Sequence, residues 1–124
     1  MEEKVALKVL IVDDALFMRN MLRGIFEEAG HEVVGEAANG LEAADRYREL
    51  RPDLVMMDIV MPLKSGIEAL QEITGEDPAA CVIMCSALGQ DNLVVEAVKN
   101  GARDFIVKPF KNDQVLEVVQ RVTG

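Results

Sequence analysis

Leu54-Val55-Met56-Met57-Asp58-Ile59-Val60-Met61-Pro62 is an apolar run interrupted by one carboxylate. Four apolar residues in succession read as a strand buried on both faces, the pattern of a parallel sheet. Asp58 closes that strand, close to a core, where an unpaired charge is costly. Pro52 stops whatever helix precedes the strand.

Working outward, the same alternation recurs. Val5 to Val12 reads as a first buried strand. Phe17, Met21, Leu22, Ile25 and Phe26 then recur at helical spacing, with Gly30 as a C-cap. Glu32 to Glu36 reads as a second strand. Asn39-Gly40-Leu41-Glu42 has the form of a capping box, opening a helix to about Leu50. On the other side, Ser65-Gly66-Ile67-Glu68 is a second capping box, with a helix ending near Gly75. Cys81 to Cys85 is a fourth strand, Asp91 to Asn100 a helix closed by Gly101, Asp104 to Val107 a short fifth strand, and Asn112 to Val122 a last helix. Strands alternating with helices predict an α/β fold: a parallel sheet with helices on both faces. In such sheets function collects at the carboxyl ends of the strands, near the topological switch point.

Length and composition narrow the classes. The 124 residues, half of them hydrophobic, fit a single domain over 1–124. No apolar run is long enough to cross a bilayer, and Met1-Glu2-Glu3-Lys4 lacks the start of a signal peptide, so the expectation is a cytoplasmic protein without a membrane role. A net charge of −9 argues against nucleic acid and suits cations or basic partners. Cys81 and Cys85 lie in one predicted strand, roughly 13 Å apart, beyond the reach of a disulfide, and read as buried thiols. His31 is the only histidine, which leaves zinc sites and histidine triads little to stand on. Met18, Met21, Met56, Met57 and Met84 read as core.

The strand ends carry the chemistry. Asp13-Asp14 follows the first strand, Asp58 ends the third, Ser86 the fourth, and Lys108-Pro109 the fifth. Alone, each has a plainer reading: a turn or N-cap for Asp13, Asp14 or Ser86, a surface amine for Lys108, core for Phe105. Together they bring three carboxylates, a hydroxyl and an ammonium to one rim. Two like charges 4 Å apart repel by about 4 kcal/mol at an effective dielectric of 20, so a cation is expected among them. All-oxygen donors suit Mg²⁺, with Mn²⁺ or another divalent ion as a substitute. A lysine and a hydroxyl facing the acids are the layout that holds phosphoryl oxygens, and a carboxylate can carry the group as an acyl phosphate. Lys108-Pro109 argues for a fixed turn with a possible cis bond.

These runs, with Cys85-Ser86-Ala87 and Phe105-Ile106-Val107-Lys108-Pro109-Phe110, resemble the receiver domains of two-component response regulators over essentially the whole chain. The stretches Asp14-Ala15-Leu16-Phe17-Met18-Arg19 and Ser86-Ala87-Leu88-Gly89-Gln90 are most similar to the stand-alone chemotaxis regulators called CheY. The resemblance implies a flavodoxin-like (βα)5 fold with strand order 2-1-3-4-5. It makes Asp58 the phosphoacceptor, Asp14 a direct Mg²⁺ ligand, Asp13 one acting through water, and the Val60 backbone carbonyl the remaining protein ligand. Ser86 and Lys108 grip the phosphoryl oxygens, and Phe105 changes rotamer as Ser86 moves. The implied function is a phosphorylation switch that catalyses only its own phosphorylation and dephosphorylation. Its implied partners are a CheA-like histidine kinase, the flagellar motor switch and an auxiliary phosphatase, and it acts as a monomer.

Two positions depart from well-known members. Val60 and Leu88 are apolar where some receivers carry polar side chains that orient a hydrolytic water, so self-dephosphorylation should be slow. Ser86 replaces the commoner threonine and keeps the hydroxyl. Three other readings compete. An aspartyl-nucleophile phosphatase usually has a second acid two residues after the nucleophile, where Val60 stands. A flavodoxin-type carrier needs a phosphate loop where acidic Val12-Asp13-Asp14-Ala15 stands. A phosphorelay intermediate or other non-chemotaxis regulator differs only in its partners.

Overall fold

The computed structural model describes residues 6–124. Five strands, β1 (Lys8–Val12), β2 (Glu32–Ala37), β3 (Leu54–Asp58), β4 (Val82–Ser86) and β5 (Asp104–Val107), alternate with five helices, α1 (Leu16–Glu28), α2 (Gly40–Leu50), α3 (Gly66–Glu76), α4 (Asp91–Lys99) and α5 (Asn112–Thr123). All strand pairs are parallel, in the order β2-β1-β3-β4-β5. The order reverses direction between β1 and β3, so the switch point lies between their carboxyl ends.

The pleat sorts the core into two faces. Val9, Ile11, Leu54, Met56, Ile83 and Cys85 pack against α1 and α5. Leu10, Val12, Val55, Met57, Val82 and Met84 pack against α2, α3 and α4. The central strands β3 and β4 are buried throughout, whereas the edge strands β2 and β5 are partly exposed. Met56, Met57 and Met84 lie fully in the core, and Met18 and Met21 are half-buried against it. The Cys85 thiol is pushed up to about 12 by burial, so it stays protonated. Cys81 is half-buried, not buried.

Several boundaries differ from the sequence reading. The first strand begins at Lys8; Val5 lies outside the described residues. Leu7 stands at the edge of the ladder: its carbonyl accepts from the Glu32 N–H at 2.9 Å, while its own N–H donates to His31 Nδ1 at 3.0 Å. The fourth strand runs from Val82 to Ser86, one residue later than expected. Phe17 is 71% exposed: nine residues at about 100° each set it half a turn from buried Phe26. The Ser65 box is complete, but the Asn39 box is half-formed. Asn39 accepts from the Glu42 N–H at 2.9 Å, while the Glu42 carboxylate accepts from the Asn39 side-chain amide instead of the Asn39 backbone.

Two glycines let helices approach the sheet tips. A Cβ on Gly66 would sit 1.9 Å from the Asp58 carbonyl oxygen, and one on Gly40 would sit 2.2 Å from the Lys64 carbonyl. Further along, the Tyr47 hydroxyl donates to Asp77 at 2.7 Å, and Arg48 pairs with Glu72 and Glu76. These bonds tie α2 to α3.

Candidate functional site

Asp13 is the residue after β1, and the β1–β3 register pairs Val12 with Met57. Continuing one step sets Asp13 beside Asp58. Side chains alternate along a strand, so Asp13 shares the α1/α5 face with Ile11, and Asp58 shares it with Met56. Lys108 shares that face with Ile106. Ser86 has the parity of Met84 and belongs to the opposite face. The alternation therefore explains which predicted residues meet.

Carboxylate oxygens of Asp13, Asp14 and Asp58 all lie within 4.8 Å of one another. Asp13 and Asp58 are buried and Asp14 is exposed. The Lys108 ammonium donates to Asp13 Oδ2 at 2.9 Å and stands 3.5 Å from Asp58 Oδ1. Burial pushes the Asp58 carboxyl above the ordinary aspartate range, and Asp13 adds to this; Lys108 offsets part of it. Burial pulls the Lys108 ammonium down, but Asp13 and Asp58 more than compensate and hold it above the ordinary lysine range. The Lys108–Pro109 peptide is cis.

The donor set fits a divalent cation. It is all carboxylate oxygen, open to solvent on the Asp14 side, and carries more negative charge than Lys108 can balance. Both Asp13 oxygens already accept hydrogen bonds, Oδ1 from the Ala15 N–H at 2.9 Å and Oδ2 from Lys108. Asp14 is thus the more available ligand of the pair.

The Ser86 hydroxyl is buried and donates to the Ile106 carbonyl at 3.4 Å, so it is turned along the sheet toward β5. Phe105 is 40% exposed, so it is not plain core in this conformation. The Val60 and Leu88 side chains are both exposed. An apolar groove of about 600 Å³, lined by Leu88, Val95, Val98, Phe105 and Val107, runs between α4 and β5 beside Ser86.

Two participants escaped the sequence reading. Arg19, on α1, donates to the Asp13 backbone carbonyl at 2.7 Å. Gln90 accepts from the Ala87 N–H at 2.7 Å and closes the loop after β4. Long polar side chains near helix starts read as solvated, and only the fold reveals their partners. Among the described residues, no helix is long and apolar enough to cross a membrane.

The model of the response regulator receiver domain matches residues 9–120. The chemotaxis protein CheY of Listeria monocytogenes is 56% identical over 115 residues, 93% of this chain and 97% of that protein. A Bacillus subtilis protein named CcdB is 58% identical over 117 residues, 94% of this chain and 98% of that one. The crystal structure of a CheX–CheY–BeF3–Mg complex from Borrelia burgdorferi contains a chain that superposes with a TM-score of 0.90 at 41% identity, covering 94% of this chain and 89% of that one.

Proposed function

Because the chain belongs to the response regulator receiver family and is CheY-like, we propose that it is a phosphorylation switch with Asp58 as the phosphoacceptor. The observation that carries this is the Lys108 ammonium joined to Asp13 and Asp58 within a cluster of three acids. An Asp58 oxygen attacks the phosphorus of a kinase phosphohistidine; the P–N bond breaks and an acyl phosphate forms. Asp14 and Asp58, the Val60 carbonyl and, through water, Asp13 would hold Mg²⁺. When bound, it neutralises charge on the phosphoryl oxygens. Lys108 stays on the α1/α5 face and binds one phosphoryl oxygen. Ser86 swings from the Ile106 carbonyl to bind another.

That swing takes the loop after β4 with it. Phe105, half out of the sheet, moves inward, and the apolar groove between α4 and β5 changes shape. A partner that prefers the altered groove shifts the population further. The flagellar motor switch is the proposed target and a CheA-like kinase the donor. The protein acts in the cytoplasm as a monomer and turns over no external substrate. The Borrelia relative was crystallised with Mg²⁺, BeF3 and CheX, which supports a divalent ion and a protein partner here. Val60 and Leu88 are exposed and apolar and neither can orient a hydrolytic water, so an auxiliary phosphatase is proposed for the off-signal. The similarity to CcdB, whose name does not mention chemotaxis, favours one second reading: a regulator of another phosphorelay.

The test is labelling with acetyl phosphate and Mg²⁺. Wild-type protein should take up one phosphate and Asp58→Asn none, and the label should persist well beyond seconds. Stoichiometric labelling of the Asn variant would remove Asp58 from the mechanism. Capturing partners with and without the label separates chemotaxis from another relay.

A further inference from the structure

Arg19 occupies an unusual place. It lies in the first turn and a half of α1, next to the positive end of the helix dipole, where a cation is unfavourable. Its N-cap, Ala15, offers no side-chain acceptor to that turn. Yet Arg19 is 84% withdrawn from solvent, its side chain being 16% exposed. Its Nη1 donates to the Asp13 carbonyl at 2.7 Å, and its Nε donates to Glu36 on β2 at 3.0 Å. Glu36 is in turn gripped by Arg23 at 2.6 Å and 2.9 Å. Burial pushes the Glu36 carboxyl up, but hydrogen bonds from Arg23 and Arg19 outweigh it and hold the carboxyl below its ordinary range. Glu36 therefore stays charged and anchors both guanidinium groups.

The Asp13 backbone is consequently held from both sides. Its N–H donates to the Ala37 carbonyl on β2 at 3.0 Å, and its carbonyl accepts from Arg19. That carbonyl belongs to the peptide joining Asp13 to Asp14. Its orientation sets where the Asp14 carboxylate points relative to Asp58, because ψ of Asp13 and φ of Asp14 pivot about it. We propose that Arg19 is a positioning residue of the acidic centre: it locks the Asp13–Asp14 peptide and thereby sets the affinity for a divalent cation. The inference rests on the reading of that centre as a metal and phosphoryl site.

Charge and geometry pull in opposite directions, which makes the sign of the result informative. If Arg19 acted only through its charge, removing a cation from beside an acidic site would tighten Mg²⁺ binding. If it acts by holding the peptide, removal weakens binding, because the ligands must be ordered at the moment the ion binds. Mg²⁺ titrations followed by backbone amide shifts read this directly on wild-type protein, Arg19→Ala and Arg19→Lys. Arg19→Ala is expected to weaken binding by about tenfold, the low end for loss of a ligand-orienting contact. Arg19→Lys, which can reach the Asp13 carbonyl but not Glu36 as well, should fall between. If Arg19→Ala does not fold, the Lys variant alone decides.

Acetyl phosphate labelling adds a second readout. The Mg²⁺ concentration for half-maximal rate should rise in step with the dissociation constant, while the rate at saturating Mg²⁺ stays within about twofold. Arg23→Ala, which removes the Arg23 bonds to Glu36 Oε2 but leaves the Arg19 bonds to Glu36 Oε1 and the Asp13 carbonyl in place, should lower the melting temperature but leave Mg²⁺ affinity unchanged. Tighter or unchanged binding in Arg19→Ala, or equal weakening in Arg23→Ala, would overturn the proposal. Absence of Mg²⁺ binding by the wild-type protein would instead overturn the reading of the site beneath it.

Discussion

The rim of the sheet has two halves built to different standards. Over β1 and β3, every flank is tied. Arg19 and Glu36 clamp α1 to β2, the Gly66 N–H donates to the Ile59 carbonyl at 2.7 Å, and the Gly40 N–H donates to the Lys64 carbonyl at 3.0 Å. Tyr47–Asp77 and the Arg48 pairs fasten α2 to α3. On the α4 side of β4 and β5 the packing is thin. α4 has one buried side chain, Ala97. Leu88, Val95, Val98, Phe105 and Val107 are all exposed. The side-chain ties from α3 toward α4 end at Asn100, its C-cap: Gln71 reaches the Asn100 side chain and Thr74 its carbonyl. Acids that must hold a cation need fixed positions, whereas a surface that reports a chemical event needs a second conformation within a few kcal/mol. Lys108, at the tip of β5, crosses from the loose half to the tied one.

The largest test of the tied half is Gly66→Ala. The added methyl would sit 1.9 Å from the Asp58 carbonyl, which is backbone in a fully buried strand and has nowhere to retreat. We expect a loss of about 3 kcal/mol or more in urea unfolding. A loss below about 1 kcal/mol would mean that the β3 tip yields easily, and the contrast between the halves would fail.

Lys108→Met cuts the link itself. Asp58 should still accept phosphate from acetyl phosphate when Mg²⁺ is saturating, more slowly. The amide shift changes at Phe105 and along α4 that accompany labelling of the wild-type protein should drop to a small fraction of their size. Full-sized changes in the variant would show that the loose half responds without Lys108.

A smaller effect concerns the charge on Asp58. Burial raises its folded-state carboxyl above the ordinary value, with Asp13 adding and Lys108 subtracting. A raised carboxyl contributes stability that is fully present below the unfolded value and is lost as pH rises through the folded one. Asn does not titrate and resembles the protonated acid. In chelator, Asp58→Asn should therefore be more stable than the wild-type protein at pH 7, on the order of 1 kcal/mol. The gain should shrink to nothing below about pH 4. A pH-independent difference would place its origin in packing rather than charge.

The tied half was also the more legible in sequence. Leu54 to Asp58 announces a buried parallel strand because burial on both faces leaves an unbroken apolar run. Ser65 and Glu68 announce a helix start because a capping box is local. What escaped depends on contacts distant in sequence. Leu7 gives its N–H to the side chain of His31, twenty-four residues away, rather than to backbone. Arg19 looks like any helical arginine until Glu36 and the Asp13 carbonyl appear beside it. Phe17 shows a different limit: helical spacing reveals an apolar stripe without saying where its edge falls. The facing of Ser86 away from Asp58 is implicit in strand parity, since residues 84 and 86 share a side.

The smallest expected effect tests the loose half by the same substitution used on the tied one. Gly89 has φ of +87° and open space around its missing Cβ. In Gly89→Ala the only cost is backbone strain, about 1 kcal/mol if the loop keeps its shape. The loop is held by little more than the Ala87–Gln90 bonds at 2.7 Å and 3.3 Å. It can shift toward negative φ and relieve part of the strain, so the loss should stay below about 1 kcal/mol. Relief has a consequence that strain alone would not. If the loop relaxes by moving, amide exchange should quicken at residues 87–90 and in the first turn of α4 while β1 and β3 stay protected. Unchanged exchange with a full loss of stability would mean that the loop is as rigid as the Gly66 contact, and the two halves would then differ in exposure but not in compliance.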